Sequence, residues 1–153
     1  MTAMDQSTSS APVSAPGPGN CTAAKVRRLA RKVTQIYDDA LAPHGLTIGQ
    51  MGLLATLRRR EGVSIGALAD RLSADASTVS RLLKPLLSIG YLTLEADPDD
   101  RRAKLVRLTQ AGHDKRRAAA AGWNAAQASM AGALGGGRLA ALHFMLDDAH
   151  HHL

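Results

Sequence analysis

Between Asp75 and Lys84 the chain reads Asp-Ala-Ser-Thr-Val-Ser-Arg-Leu-Leu-Lys, with Ser77, Thr78, Ser80, Arg81 and Lys84 as its hydroxyl and cationic members. Hydroxyls of this kind bond to bases or phosphates, and an arginine can bond in bidentate fashion to guanine O6 and N7. Further on, Asp-Pro-Asp-Asp-Arg-Arg sets Arg101 and Arg102 beside Asp99 and Asp100. An arginine at the tip of a turn suits the narrow, electronegative minor groove, and a neighbouring aspartate can fix its geometry. Asp99 and Asp100 have the pairing of an acid–base couple. The two arginines beside them would hold both ionised, which is poor for a general acid. The sequence has no GxSxG, P-loop, HExxH or paired His/Cys pattern, so the expectation is no enzyme, no cofactor and no metal.

The other reactive residues are isolated. Cys21 precedes a long helical pattern and lies near Lys25, where a helix N-terminus and a cation can lower a thiol pKa; it is a redox-sensor candidate, with an inert thiol as the alternative. His150, His151 and His152 are adjacent and would point in different directions around a helix, so they read as a frayed terminus. His113 and His143 lack partners at metal-ligand spacing.

The elements that must position these residues follow from periodicity. From Thr22 to Leu41, Val26, Leu29, Val33, Ile36, Tyr37 and Leu41 recur at three- and four-residue steps, a helix ended by Pro43 and Gly45. Thr47 caps a second helix carrying Ile48, Met51, Leu54 and Leu57; Arg58–Arg60 are expected to close it and Gly62 to stop it. Ser64 caps a short helix from Ile65 to Leu72. Ser73–Ala74 make a turn, and Asp75 caps a helix of roughly Ala76 to Ile89, with Pro85 inside it. The period then changes to alternation at Leu92 and Leu94 and again from Lys104 to Leu108, a hairpin with a charged tip. Thr109 caps a long Ala-rich helix to about Leu134, Gly135–Gly137 break it, and a last helix runs from Arg138 to about His150. The fold class is therefore mainly α with a small β-hairpin wing: a winged helix-turn-helix plus a further helical region.

Composition narrows the partner. The chain has 153 residues, 19 Lys and Arg against 13 Asp and Glu, one Trp, two Tyr and one Phe. The length suits one domain with a real core. So few aromatics make a poor stacking platform for single strands, whereas basic charge favours phosphates and groove edges. Thirteen of the basic residues, against eight acidic, lie in residues 55–117. The single cysteine is compatible with a reducing compartment. Residues 1–20 are rich in Ser, Pro, Ala and Gly and have neither a basic nor an apolar leader region, so a flexible arm is expected there, not a signal peptide. The uncharged stretch from Ala118 to Gly137 is mostly Ala and Gly, too weakly hydrophobic for a membrane span. A cytoplasmic protein is the expectation.

The stretch DPDDRRAKLVRLTQAG (Asp97 to Gly112) resembles the wing of the MarR family of transcription regulators, with its following Leu-Thr-x-x-Gly. LADRLSADASTVSRLLKPLLSIGYL (Leu68 to Leu92) is similar to that family's helix-turn-helix, and KVTQIYDDALAPHGLT (Lys32 to Thr47) to its N-terminal region. The resemblance covers roughly Cys21 to Ala149. It implies a winged helix-turn-helix over 46–108 and a helical dimerisation part over 21–45 and 109–153. It also implies a homodimer on a pseudo-palindromic duplex site, acting as a repressor released by a small ligand or oxidant. By motif position Ser77, Thr78, Ser80, Arg81 and Lys84 would enter the major groove. Asp100 and Arg102 would form the wing pair, with Arg102 in the minor groove and Arg101 beside the backbone. A phenolic or anionic effector would lie near Tyr37, His44 and Met51. The alternatives are an architectural DNA-binding protein that senses nothing, and a protein-interaction module.

Overall fold

The computed structural model describes residues 19–100 and 102–153. The expected arm over 1–20 therefore falls almost wholly outside the described residues, and so does Arg101. The order of elements is α1 (Thr22–Leu41), a 3-10 turn (Ala42–His44), α2 (Ile48–Thr56), β1 (Gly62–Ser64), α3 (Ile65–Arg71), α4 (Ala76–Ser88), β2 (Leu92–Ala96), β3 (Lys104–Leu108), α5 (Gln110–Leu134) and α6 (Gly136–His152). The chain divides into two compact units, Met1–Val33 and Thr34–Leu153. In the first, Lys25, Arg27, Arg28, Arg31 and Lys32 are all exposed on α1.

The second unit holds the core. Leu41, Leu53, Leu54, Leu57, Leu68, Val79, Leu86, Leu92 and Val106 are fully buried, and Ala119 of α5 joins them. Four helices, α2 to α5, start where a side chain takes up an unpaired backbone N–H. Thr47 and Gln50 form a reciprocal capping box at α2, Ser64 caps α3, Asp75 caps α4 and Thr109 caps α5.

Three features differ from the sequence expectation. The helix α2 ends at Thr56, so Arg58–Arg60 do not form its last turn. Leu57 is already extended (φ −86°, ψ 127°), and Arg60 is in the left-handed region at φ 68°. A third strand, β1, also lies against the hairpin. The sheet order is β1-β3-β2, all antiparallel, with Val63 opposite Val106 and Leu94 opposite Val106 on the other side. Three residues are too few to show alternation, so β1 has no periodic signal. The last helix runs on to His152, where a frayed end was expected.

The Leu-Thr-x-x-Gly segment has a direct physical account. The Thr109 backbone N–H and hydroxyl both donate to the Tyr91 carbonyl, at 3.1 and 3.0 Å, and the hydroxyl also reaches the Gly90 carbonyl at 2.8 Å. The same oxygen accepts from the Gly112 N–H at 3.0 Å. A Cβ on Gly112 would lie 2.1 Å from the Tyr91 carbonyl oxygen, so only glycine fits. Gly122 likewise lets α5 approach the Ala40 carbonyl, which a Cβ would meet at 2.6 Å.

Candidate nucleic-acid interface

The helix α4 buries Val79, Leu83 and Leu86, and Leu82 packs against Gly49 of α2. That anchoring turns Ser77, Ser80, Arg81 and Lys84 to the exposed side, with Thr78 half-buried. Ser73, in the turn between α3 and α4, adopts φ 48°, which lets the chain reverse within the four residues between the helices.

The start of α4 is more ordered than capping alone requires. One oxygen of Asp75 accepts from the Thr78 N–H at 2.7 Å and from the Ser77 hydroxyl at 2.5 Å. Its other oxygen accepts from the Thr78 hydroxyl at 2.8 Å. The Ser80 hydroxyl donates to the Ala76 carbonyl at 2.8 Å, and Arg81 donates to the Thr78 hydroxyl oxygen at 3.2 Å. The Ser77 hydroxyl, the Thr78 backbone N–H and the Thr78 hydroxyl, in that order of effect, hold the Asp75 carboxyl well below the usual carboxylate range. The hydroxyl protons of Ser77, Thr78 and Ser80 are thus all engaged within the helix. Their free lone pairs can accept from base amino groups, while outward donation falls to Arg81 and Lys84.

The wing tip is a hydrogen-bonded turn built by its acidic residues. Asp97 accepts from the Asp99 N–H at 2.9 Å, and Asp100 accepts from the Arg102 backbone N–H at 2.9 Å. Asp100 therefore bonds to the backbone of Arg102, and the Arg102 side chain is exposed. Arg102, Ala103 and Lys104 line a depression of about 350 Å³ together with Ser64 and Ile65. Lys104 escaped the sequence reading because it was assigned only to a strand. Its exposure next to Arg102 makes it a second wing cation.

The arginine triplet sits elsewhere. The register of β1 on β3 puts Ser64 opposite Leu105, near the wing tip, and Gly62 opposite Arg107, at its base. Arg58–Arg60 precede Gly62 and so lie beyond the base end. Arg59 donates to Gln110 at 2.9 Å, and the Arg60 carbonyl accepts from Arg107 at 2.9 Å. Of the expected effector residues, Tyr37 and His44 are half-buried, the His44 ring lies close over Gly122, and Met51 packs into the core. Cys21 is a free, exposed thiol at the start of α1.

A helix-turn-helix followed by a cationic wing invites comparison with known readers of DNA. Residues 44–103 match the MarR family model. The winged-helix part of this chain is similar to that of the MarR family. The match overlaps both the helix-turn-helix and the wing, and the fold is that of MarR winged-helix proteins. The chain is 36% identical over 76 residues to the HTH-type transcriptional regulator TtmR of Methylorubrum extorquens, covering 50% of this chain and 39% of that protein. It is 28% identical over 82 residues to the multiple antibiotic resistance protein MarR of Escherichia coli, covering 54% of this chain and 57% of that protein. The alignments thus span about two fifths to three fifths of these MarR-type relatives, which are regulators and not enzymes. The M. tuberculosis transcriptional regulator MosR, solved in complex with DNA, superposes with a TM-score of 0.72 at 29% identity, covering 86% of this chain and 97% of that one.

Proposed function

We propose that this chain is a sequence-specific regulator of transcription that binds duplex DNA as a homodimer. The observation that carries this reading is the row Ser77, Ser80, Arg81 and Lys84, exposed on a helix whose opposite face is locked into the core. A helix so presented can enter the major groove, and the Arg102–Lys104 wing can reach the flanking backbone or minor groove. Support for a homodimer comes from α6, which buries none of its residues. Phe144 is 68% and Met145 61% exposed there. A two-fold partner would cover such a face and supply the second reading head for a pseudo-palindromic site. The DNA complex of MosR is a precedent for a relative of this length.

In this proposal the protein is a cytoplasmic repressor, released by a small phenolic or anionic ligand or by an oxidant. Tyr37 and His44, half-buried where α1 passes into α2, support the ligand arm. The exposed Cys21 thiol supports the oxidant arm. Among the described residues no helix is long and apolar enough to cross a membrane.

The deciding experiment selects duplex sites from a random pool and measures affinity across a salt series, with the mass of the free and bound protein determined by ultracentrifugation. A single pseudo-palindromic site bound by two chains is expected. Uniform coverage of DNA would replace this reading with an architectural role, and no binding at low salt with a protein-interaction module.

A further inference from the structure

We propose that Asp75 sets the base specificity of the reading helix, by holding the Thr78 hydroxyl as an acceptor for the Arg81 guanidinium. The proposal rests on the DNA-binding reading above.

The geometry runs through three side chains. A threonine hydroxyl has one proton and two lone pairs. The Thr78 proton goes to the free oxygen of Asp75 at 2.8 Å, so towards Arg81 the hydroxyl can only accept. Arg81 uses it at 3.2 Å. Among the described residues no carboxylate lies within ion-pairing distance of Arg81. A direct carboxylate partner would neutralise the guanidinium and have to be broken on binding. A neutral oxygen interposed between them orients the arginine and leaves its charge for the DNA. The fork is then aimed before it meets a guanine edge, which lowers the ordering cost of a bidentate contact. Asp75 touches no base in this scheme and acts as a positioning residue.

One isosteric change separates this role from capping. In Asp75→Asn the amide oxygen still caps the Thr78 N–H, since asparagine is as good a cap as aspartate. The amide NH2 now faces the Thr78 hydroxyl and donates to it, which reverses that hydrogen bond. The hydroxyl can still accept from Arg81 through its second lone pair, but its proton is no longer held by a carboxylate, so its orientation is no longer fixed and its hold on the guanidinium loosens.

The test uses the full chain. In the free protein, NMR relaxation of the Arg81 Nε–H group is compared across variants. Order is expected in the wild type and in Thr78→Ser, which keeps the hydroxyl, reduced in Asp75→Asn and lost in Thr78→Val. At pH 7 Asp75→Asn should remain folded, its melting temperature offset from wild type by the carboxylate charge and not by loss of the cap. On DNA selected by the wild type, Asp75→Asn should lose about tenfold of the discrimination against a substituted base pair in each half-site, with an unchanged salt slope because no cation is removed. An Arg81 equally ordered in wild type and Asp75→Asn, or unchanged discrimination, would overturn the proposal. A wild type with no sequence preference would end the specificity role together with the DNA reading, while the relaxation data still decide whether the Asp75–Thr78–Arg81 chain exists.

Discussion

Arg116 of α5 donates through one nitrogen to the carbonyls of both Leu54 and Leu57, at 2.9 Å each. These carbonyls lie at the end of α2, where the chain has turned extended and no further helical N–H can reach them. A residue more than fifty positions away thus closes the helix that Arg58–Arg60 were expected to close. Arg116→Ala should destabilise the protein by about 1–3 kcal/mol, the cost of unsatisfied carbonyls that a cation had bonded. Urea denaturation monitored by circular dichroism measures it. A loss no larger than that from Arg117→Ala, whose side chain is 78% exposed, would show that the bond contributes nothing.

Two glycines of the same helix should respond in opposite ways. Gly112→Ala places a methyl against the Tyr91 carbonyl and should cost about 3 kcal/mol or more, or prevent folding. Gly132→Ala meets nothing within 4 Å and should leave stability unchanged or raise it by up to about 1 kcal/mol. Thermal melts of the pair make the comparison, and equal effects would remove the close approach at Tyr91 as its cause.

The depressed Asp75 carboxyl gives a pH signature of known sign. Its pKa is lower in the folded chain than in the unfolded one, so its contribution to stability is present above the unfolded value, about 3.9. It is lost progressively as pH falls below that value. Melting temperatures of wild type and Asp75→Asn should therefore differ by a constant amount from pH 7 to 5 and shift against each other below about pH 4. Glu61, lowered by its hydrogen bond from Arg71, titrates in both proteins and cancels in the difference. Parallel curves down to pH 3 would mean that Asp75 has no folded-state perturbation.

On DNA, Arg102→Ala and Lys104→Ala should each weaken binding and reduce the slope of log affinity against log salt by about one per wing engaged. A slope changed only by Arg102→Ala would confine the contact to the tip. A slope changed by neither would remove the wing from the interface.

The helices, the hairpin and the row from Ser77 to Lys84 were legible because periodicity and capping residues are local signals. Asp75 two residues before Ser77, and Thr47 three before Gln50, announce their helices within one turn. What escaped depends on residues distant in the chain. The end of α2 needs Arg116, β1 needs β3, and the arginine triplet is held at the sheet base by Gln110 and Arg107. On α4, residue types pointed to Ser77, Ser80, Arg81 and Lys84, which the structure exposes. Only coordinates reveal that three hydroxyl protons are already taken within the helix.

The junction at Tyr91 has a mechanical consequence. Its N–H is bonded to the Leu86 carbonyl of α4 at 2.9 Å, and its carbonyl to Thr109 at the head of α5. One peptide unit on each side of Tyr91 thus gears the far end of the reading helix to the longest helix of the chain, with Gly112 pressed against the same carbonyl. A rotation of α5 would strain these contacts unless the end of α4 moved with it. In a two-chain assembly, the angle at which the two long helices cross would fix how far apart the two reading heads stand.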